Sequence, residues 1–195
     1  MTVPSLPSSA DKKALRAAMR ARRKDYAASL APSLRIALEG EVARILEPLL
    51  FAAKVVAAYQ PMKEELSPLP ALEMARAMGK TTVLPAFAAR DSRMTFHEGD
   101  ATAAGPWGLL QPPIDSPPLA PDLVLVPLIA CDLLGNRIGM GQGHYDRALE
   151  GLRGQATLVG IGWDFQLLAD TFAADPWDQP LHAFAAPSGL TEFST

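Results

Sequence analysis

Between residues 137 and 147 the chain reads Arg-Ile-Gly-Met-Gly-Gln-Gly-His-Tyr-Asp-Arg, and no other stretch restricts the fold as strongly. Gly139, Gly141 and Gly143 alternate after an apolar strand pattern, Asp122 to Val126 (DLVLV), and before a helix expected from about His144 to Leu152. Glycine admits positive φ and lets a backbone approach a ligand closely. Successive N–H groups in such a turn can form a nest for phosphate, backed by the dipole of the helix that follows. The same glycines also suit a tight turn without a ligand, so the spacing alone leaves both readings open. No Gly-Lys-Ser/Thr follows, and the dinucleotide spacing G-x-G-x-x-G is absent, so the motif is neither of the common nucleotide loops. Asp146 falls in the first turn of the expected helix. There it can hold Mg²⁺ between phosphate oxygens, or serve the helix dipole or Arg147.

The rest of the chain reads as two helices followed by alternating strands and helices. Residues 9–30 form the first helix, capped by Ser9 with Asp11 in its first turn. Ser33 opens a second, with Leu38, Val42, Ile45 and Leu49 as its apolar face. Strands are expected at Lys54–Tyr59, Thr81–Leu84, Arg93–His97, Asp122–Val126, Leu158–Trp163 and around Ala183. Ser67-Pro68 starts a helix that Gly79 closes, and a short helix is expected near Gln166. This order predicts a three-layer α/β/α fold: a largely parallel sheet with helices on both faces and an N-terminal helical pair. Residues 1–195 are expected to form a single domain, with 1–10 disordered. The Pro/Gly-rich stretch 99–121 is too long for a mere connection and is expected to be a functional loop.

Charge is unevenly spread. Residues 1–48 carry 9 Lys+Arg against 5 Asp+Glu, whereas the rest carries 9 against 16. Lys12, Arg16, Arg20 and Arg23 fall along one stripe of the first helix, beside Leu15, Met19 and Tyr26. A basic arm on a mildly acidic body suits an anionic small ligand, and it can also suit nucleic acid. No aromatic residue interleaves the stripe as an RNA platform requires. The single cysteine, Cys131, excludes an internal disulfide, and three scattered histidines give no metal-ligand spacing. Cys131, His97 and His182 read as structural, and His144 reads equally as a phosphate contact or a helix-start surface residue. No apolar run reaches a membrane span and the N-terminus lacks a signal-peptide core, so a cytoplasmic protein is expected.

The segment DLVLVPLIACDLLGNRIGMGQGHYDRAL (122–149) strongly resembles the signature of the 5-formyltetrahydrofolate cyclo-ligase family, also called methenyltetrahydrofolate synthetases. Three further blocks agree with it: KKALR (12–16), YQPMKEELSP (59–68) and VGIGWDFQL (159–167). The resemblance runs from about residue 11 to 182, and the glycine loop is its most specific part. Gln111, Gln142, His144 and Trp177 stand where many members carry other residues.

The resemblance implies a three-layer α/β fold and a ligase of folate and one-carbon metabolism, with ATP as co-substrate and Mg²⁺ as cofactor. It would convert 5-formyltetrahydrofolate to 5,10-methenyltetrahydrofolate with release of ADP and phosphate. By position, the nucleotide contacts would be Lys12, Arg16, Arg137, Gly139, Met140, Gly141, Gln142, Gly143, His144 and Tyr145. Lys12 and Arg137 would supply catalytic charge. Asp146 and Asp178 would hold the metal. Gln60 and Glu65 would contact the folate; from its place in the long loop Trp107 reads as a cover for the pterin ring, slightly ahead of a hydrophobic anchor for the loop. From the residues alone, Glu64-Glu65 would read as a solvated acidic pair, and Arg20 and Arg23 as a solvated basic face. The expected partners are the two small-molecule substrates, with no membrane, no nucleic acid and a monomeric state. Two alternatives stand beside this reading: another enzyme on a related fold, such as a sugar-phosphate isomerase, and a non-catalytic nucleotide- or RNA-binding relative. The Lys12/Arg16 arm and Asp146 favour nucleotide and metal over the first.

Overall fold

The computed structural model describes residues 12–115, 117–172 and 178–194, with the side chain of Trp107 set aside. The expected Ser9 cap, Asp11, the disordered 1–10 segment and Trp177 lie outside the described residues. In chain order the elements are α1 (Lys12–Ser29), α2 (Pro32–Ala52), β1 (Val55–Ala57), α3 (Leu69–Ala77), β2 (Thr81–Ala86) and β3 (Thr95–Glu98). Then come β4 (Ala103–Ala104), β5 (Leu110–Gln111), β6 (Leu123–Pro127), β7 (Ala130–Asp132), β8 (Arg137–Ile138) and α4 (His144–Glu150). The chain closes with β9 (Thr157–Ile161), β10 (Leu167–Leu168), β11 (Ala183–Ala186) and β12 (Gly189–Glu192).

Seven strands form the central sheet in the order β12-β11-β9-β6-β1-β2-β3. The inner five are mutually parallel, and β12 and β3 pair antiparallel at the edges. Alternate side chains of the inner strands enter two separate cores, as expected when both faces of a parallel sheet are covered. Val56, Leu123, Leu125, Val159 and Ala185 face α2 and α3. Ala57, Val124, Val126, Leu158 and Phe184 face Ala148 and Leu149 of α4. The expected three-layer arrangement is therefore present. The buried face of α2 lies one residue further along than the apolar pattern suggests: Val42, Leu46 and Leu50 are buried, whereas Leu38, Ile45 and Leu49 flank them. The carboxylate of Glu39, bonded to Arg35 and to the N–H of Ser67, lets a charged residue occupy that face.

Two features lie beyond the expected list. The stretch 130–168 contributes a small second sheet, β10-β7-β8, under α1. Leu15 and Met19 pack there against Ile129, Ile138 and Leu168. The 99–121 loop folds back as a two-residue hairpin, β4 against β5.

The topology fixes where a ligand belongs. From β1 the chain crosses through α3 to β2 on one side, and from β6 it crosses through α4 to β9 on the other. Strands β1 and β6 are neighbours, so the winding direction reverses between them. At such a switch point the loops after the two strands diverge and leave a crevice beyond their carboxyl ends. Among the described residues no helix is long and apolar enough to cross a membrane.

Candidate active site

The crevice is there, as a cavity of about 660 Å³ at the carboxyl ends of β1 and β6. From the β1 side come Tyr59, Gln60, Met62 and Glu65; from the β6 side come Pro127, Leu128 and the run from Arg137 to Asp146. Lys12, Arg16 and Asp178 close one end. Every residue expected to contact nucleotide, metal or folate lines this cavity except Trp107, whose side chain lies outside the described residues.

The glycine loop takes the conformation that its composition suggests. Gly141 has φ +88° and Gly143, the residue before α4, has φ +64°. Both are left-handed, a region that costs other residues about 1–2 kcal/mol. The loop is held from outside by α1: Arg16 Nε donates to the carbonyl of Gly139 at 2.8 Å. Arg20 stays exposed beside it, with Nη2 3.1 Å from Met140 Sδ.

Asp146 pairs with Arg137 rather than with Arg147. The Arg137 side chain is only 5% exposed, and its guanidinium lies 5.9 Å above the Tyr145 ring. Arg147 instead meets His144 Nδ1 at 3.0 Å. Burial and the Arg147 charge push the His144 pKa down, which favours the neutral imidazole that can accept at Nδ1. The Tyr145 hydroxyl is buried and has no hydrogen-bond partner among the described residues. Burial and the nearby Glu65 carboxylate push its pKa up, so it remains a proton donor.

At the other end the walls are apolar. Leu84, Pro85, Phe87 and Met94 come from the β2–β3 side, and Pro106, Leu109, Leu110 and Gln111 from the 99–121 loop. The Gln111 amide accepts from Phe87 N–H at 3.1 Å and donates to Phe87 O at 3.0 Å, tying the two walls together. A glutamate at 111 would lack that donor, which gives the glutamine a physical reason here. The Phe87 ring meets His144 edge-on, with centroids 5.0 Å apart. Sequence reading missed this wall because its members come from separate elements. One signal was available: Phe87 follows the end of β2, where a parallel sheet exposes ligand contacts.

The solvated readings of Arg23 and of the acidic pair need correction. Arg23 is 4% exposed and Glu65 5%, and they form a buried ion pair at 3.3 Å. Arg23 stands four residues after Met19 and eight after Leu15, on the buried stripe of α1 as much as on its basic one. Glu64 does not line the cavity; its carbonyl accepts from Trp163 Nε1 at 3.2 Å.

Two carboxylates, Asp146 and Asp178, line the cavity on its phosphate-nest side, and Lys12 Nζ lies 3.4 Å from Asp178. Among the described residues no group of three or more His, Cys, Asp or Glu forms a metal cage. Mg²⁺ usually takes only one or two protein carboxylates and completes its shell with phosphate oxygens and water. The donor set fits that pattern.

A glycine turn with cations at one end and an apolar cleft with a buried carboxylate at the other make this an α/β protein with a two-ended small-molecule cleft. Residues 8–187 match the profile of the 5-formyltetrahydrofolate cyclo-ligase family, and the chain belongs to that family. The 5-formyltetrahydrofolate cyclo-ligase of Escherichia coli (strain K12) is 30% identical over 155 residues, covering 75% of this chain and 85% of that protein. That of Mycolicibacterium smegmatis is 30% identical over 172 residues, covering 78% and 85%. Among solved structures, Aquifex aeolicus 5,10-methenyltetrahydrofolate synthetase superposes with a TM-score of 0.74 at 25% identity, covering 93% of this chain and 94% of that one. The Mycoplasma pneumoniae synthetase shares the fold, with a TM-score of 0.68 at 23% identity over 88% and 98% of the two chains.

Proposed function

We propose that this protein cyclises 5-formyltetrahydrofolate to 5,10-methenyltetrahydrofolate at the expense of ATP, releasing ADP and phosphate. The observation that carries the reading is the two-ended cavity at the β1/β6 switch point, in a chain of this family. ATP takes the glycine-loop end, with its phosphates against Gly139–Gly143 and the charges of Lys12, Arg16 and Arg137. The folate takes the apolar end, with Glu65 accepting from pterin donors and Gln60 at the rim.

The formyl oxygen attacks the γ-phosphorus and ADP leaves. N10 of the folate then attacks the formyl carbon and loses its proton. The ring closes, and phosphate departs carrying the former formyl oxygen. No protein nucleophile is needed, so this chain's part is positioning and charge stabilisation. Lys12 and Arg137 balance charge developing on the phosphoryl group. The Tyr145 hydroxyl, a buried donor, serves an oxygen of the reacting groups. Asp146 and Asp178 would hold Mg²⁺, which neutralises phosphate charge when bound. The 99–121 loop forms part of the folate wall and acts as a functional loop. We take the enzyme to work as a single-domain monomer in the cytoplasm, without nucleic acid.

The test is turnover followed by the near-ultraviolet absorbance of the methenyl product. Product is expected only when both ATP and 5-formyltetrahydrofolate are present; full-rate product without nucleotide overturns the reading. Melting temperature gives a second readout, rising with MgATP and with the folate but not with RNA.

Gly143→Ala tests the nucleotide end. Alanine at φ +64° is strained, and its Cβ would sit 3.1 Å from Arg147 Nη1. A cost of about 1–2 kcal/mol corresponds to roughly a tenfold rise in the KM for ATP. The KM for the folate should stay within about twofold of the parent enzyme, a difference too small to reflect a lost contact.

A further inference from the structure

Arg23 does not line the cavity, yet it lies directly behind it. Its Nη1 is 3.3 Å from Glu65 Oε1 and donates to the carbonyl of Leu128 at 3.2 Å. The other Glu65 oxygen accepts the Met62 N–H at 2.9 Å. Leu128 follows β6 and Glu65 follows β1, so one nitrogen of α1 bridges the two loops that diverge at the switch point. The Leu128 carbonyl also accepts from Gln166 Nε2 at 3.0 Å, which fixes it from the opposite side.

Taking two ions out of water costs free energy that their attraction seldom exceeds, and apolar residues of similar shape often serve a fold as well. A binding site that requires a carboxylate in an apolar wall is different, because it requires a cation behind that carboxylate. We infer that Arg23 is the positioning residue of the folate end: it holds the Glu65 carboxylate against the cavity in one orientation, paired in the absence of ligand, without itself touching the ligand. The inference rests on the reading of Glu65 as a pterin contact.

The groups that face Glu65 are Arg23 from α1, Arg35 from α2, whose Nη2 donates to the Glu65 carbonyl at 2.6 Å, Tyr59 after β1, Tyr145 from α4 and the neighbouring Glu64. Burial pushes the Glu65 pKa up, while the Met62 N–H and the Arg23 charge pull it back. Without Arg23 only the Met62 N–H still opposes that push, and the carboxylate takes its proton at a higher pH. A protonated Glu65 is a poor acceptor for pterin donors, so folate kcat/KM falls on the acid side.

The experiment measures kcat/KM for each substrate against pH in Arg23→Met, Arg23→Lys, Glu65→Gln and the Met/Gln double variant, with melting temperature alongside. Glu65→Gln should lower folate kcat/KM about 30-fold, the loss of one charge-assisted hydrogen bond. Arg23→Met should lower it about tenfold at neutral pH and move the acid limb to higher pH, with ATP parameters unchanged. Arg23→Lys should return most of the activity and the parent limb. In the Glu65→Gln background, Arg23→Met should cost no more than about twofold further, because no carboxylate remains to be positioned. An unshifted acid limb, equal losses for both substrates, or fully multiplicative effects in the double variant overturn the inference. If Glu65→Gln alone is silent, the pterin assignment fails, which is distinct from a silent Arg23. Where Arg23→Met does not fold, Arg23→Gln carries the same outcomes.

Discussion

Arg137→Met should lower kcat about 10³-fold while changing the KM for the folate little, the loss expected when a preorganised cation is removed from a phosphoryl-transfer site. That factor is about 4 kcal/mol of barrier. The Arg137 side chain is 5% exposed, its Nη2 bonds Asp146, and its Nε is buried with no partner among the described residues. It lies over the ring of Tyr145, whose hydroxyl is likewise unpartnered. A buried guanidinium with an unused donor, next to a phenol with an unused donor, leaves polar capacity that the described residues do not satisfy. Methionine keeps most of the stem's packing, so melting temperature should fall by only a few degrees, far less than the kinetic effect implies. Arg137→Lys keeps the charge but loses the planar fork, and should recover part of the rate. A methionine variant that turns over within about tenfold of the parent would mean that Lys12 and the loop N–H groups carry the charge stabilisation.

Local chemistry made part of this legible in the sequence. The DLVLV strand, the alternating glycines and the helix start that follows locate β6, the glycine turn and α4. Lys12 and Arg16 were legible because helical spacing puts them on one stripe. Several short elements were not legible: β7, β8 and β10 are too short to show a period, and the four-residue β12 has a glycine at its first position. The apolar wall of the cavity was hidden for a different reason. Phe87, Met94, Leu109 and Gln111 reach one another only through sheet order and a folded-back loop. Arg23 misled because a charged residue on an apolar stripe is ordinarily solvated. Its partner, Glu65, lies 42 positions away, beyond any local pattern.

Asp146→Asn should lower kcat by about 10²-fold and raise the Mg²⁺ concentration needed for half-maximal rate, because one ligand charge is lost where phosphate charge develops. Two structural roles compete with that explanation, and magnitudes separate them. As an acid in the first turn of α4, Asp146 is worth about 0.3–1 kcal/mol to the helix, a few degrees of melting temperature at most. As the partner of Arg137 it orients a guanidinium, and asparagine still offers an oxygen in the same position. Neither role changes a metal requirement. The decisive measurement is the same substitution in the Arg137→Met background. If Asp146 works only by holding Arg137, removing Arg137 first makes Asp146→Asn silent. If it ligates Mg²⁺, the shift in metal requirement persists there and the two losses multiply. A double variant no slower than Arg137→Met alone, with an unchanged Mg²⁺ dependence, would remove Asp146 from the metal site and leave Asp178 as the remaining carboxylate at that end of the cavity.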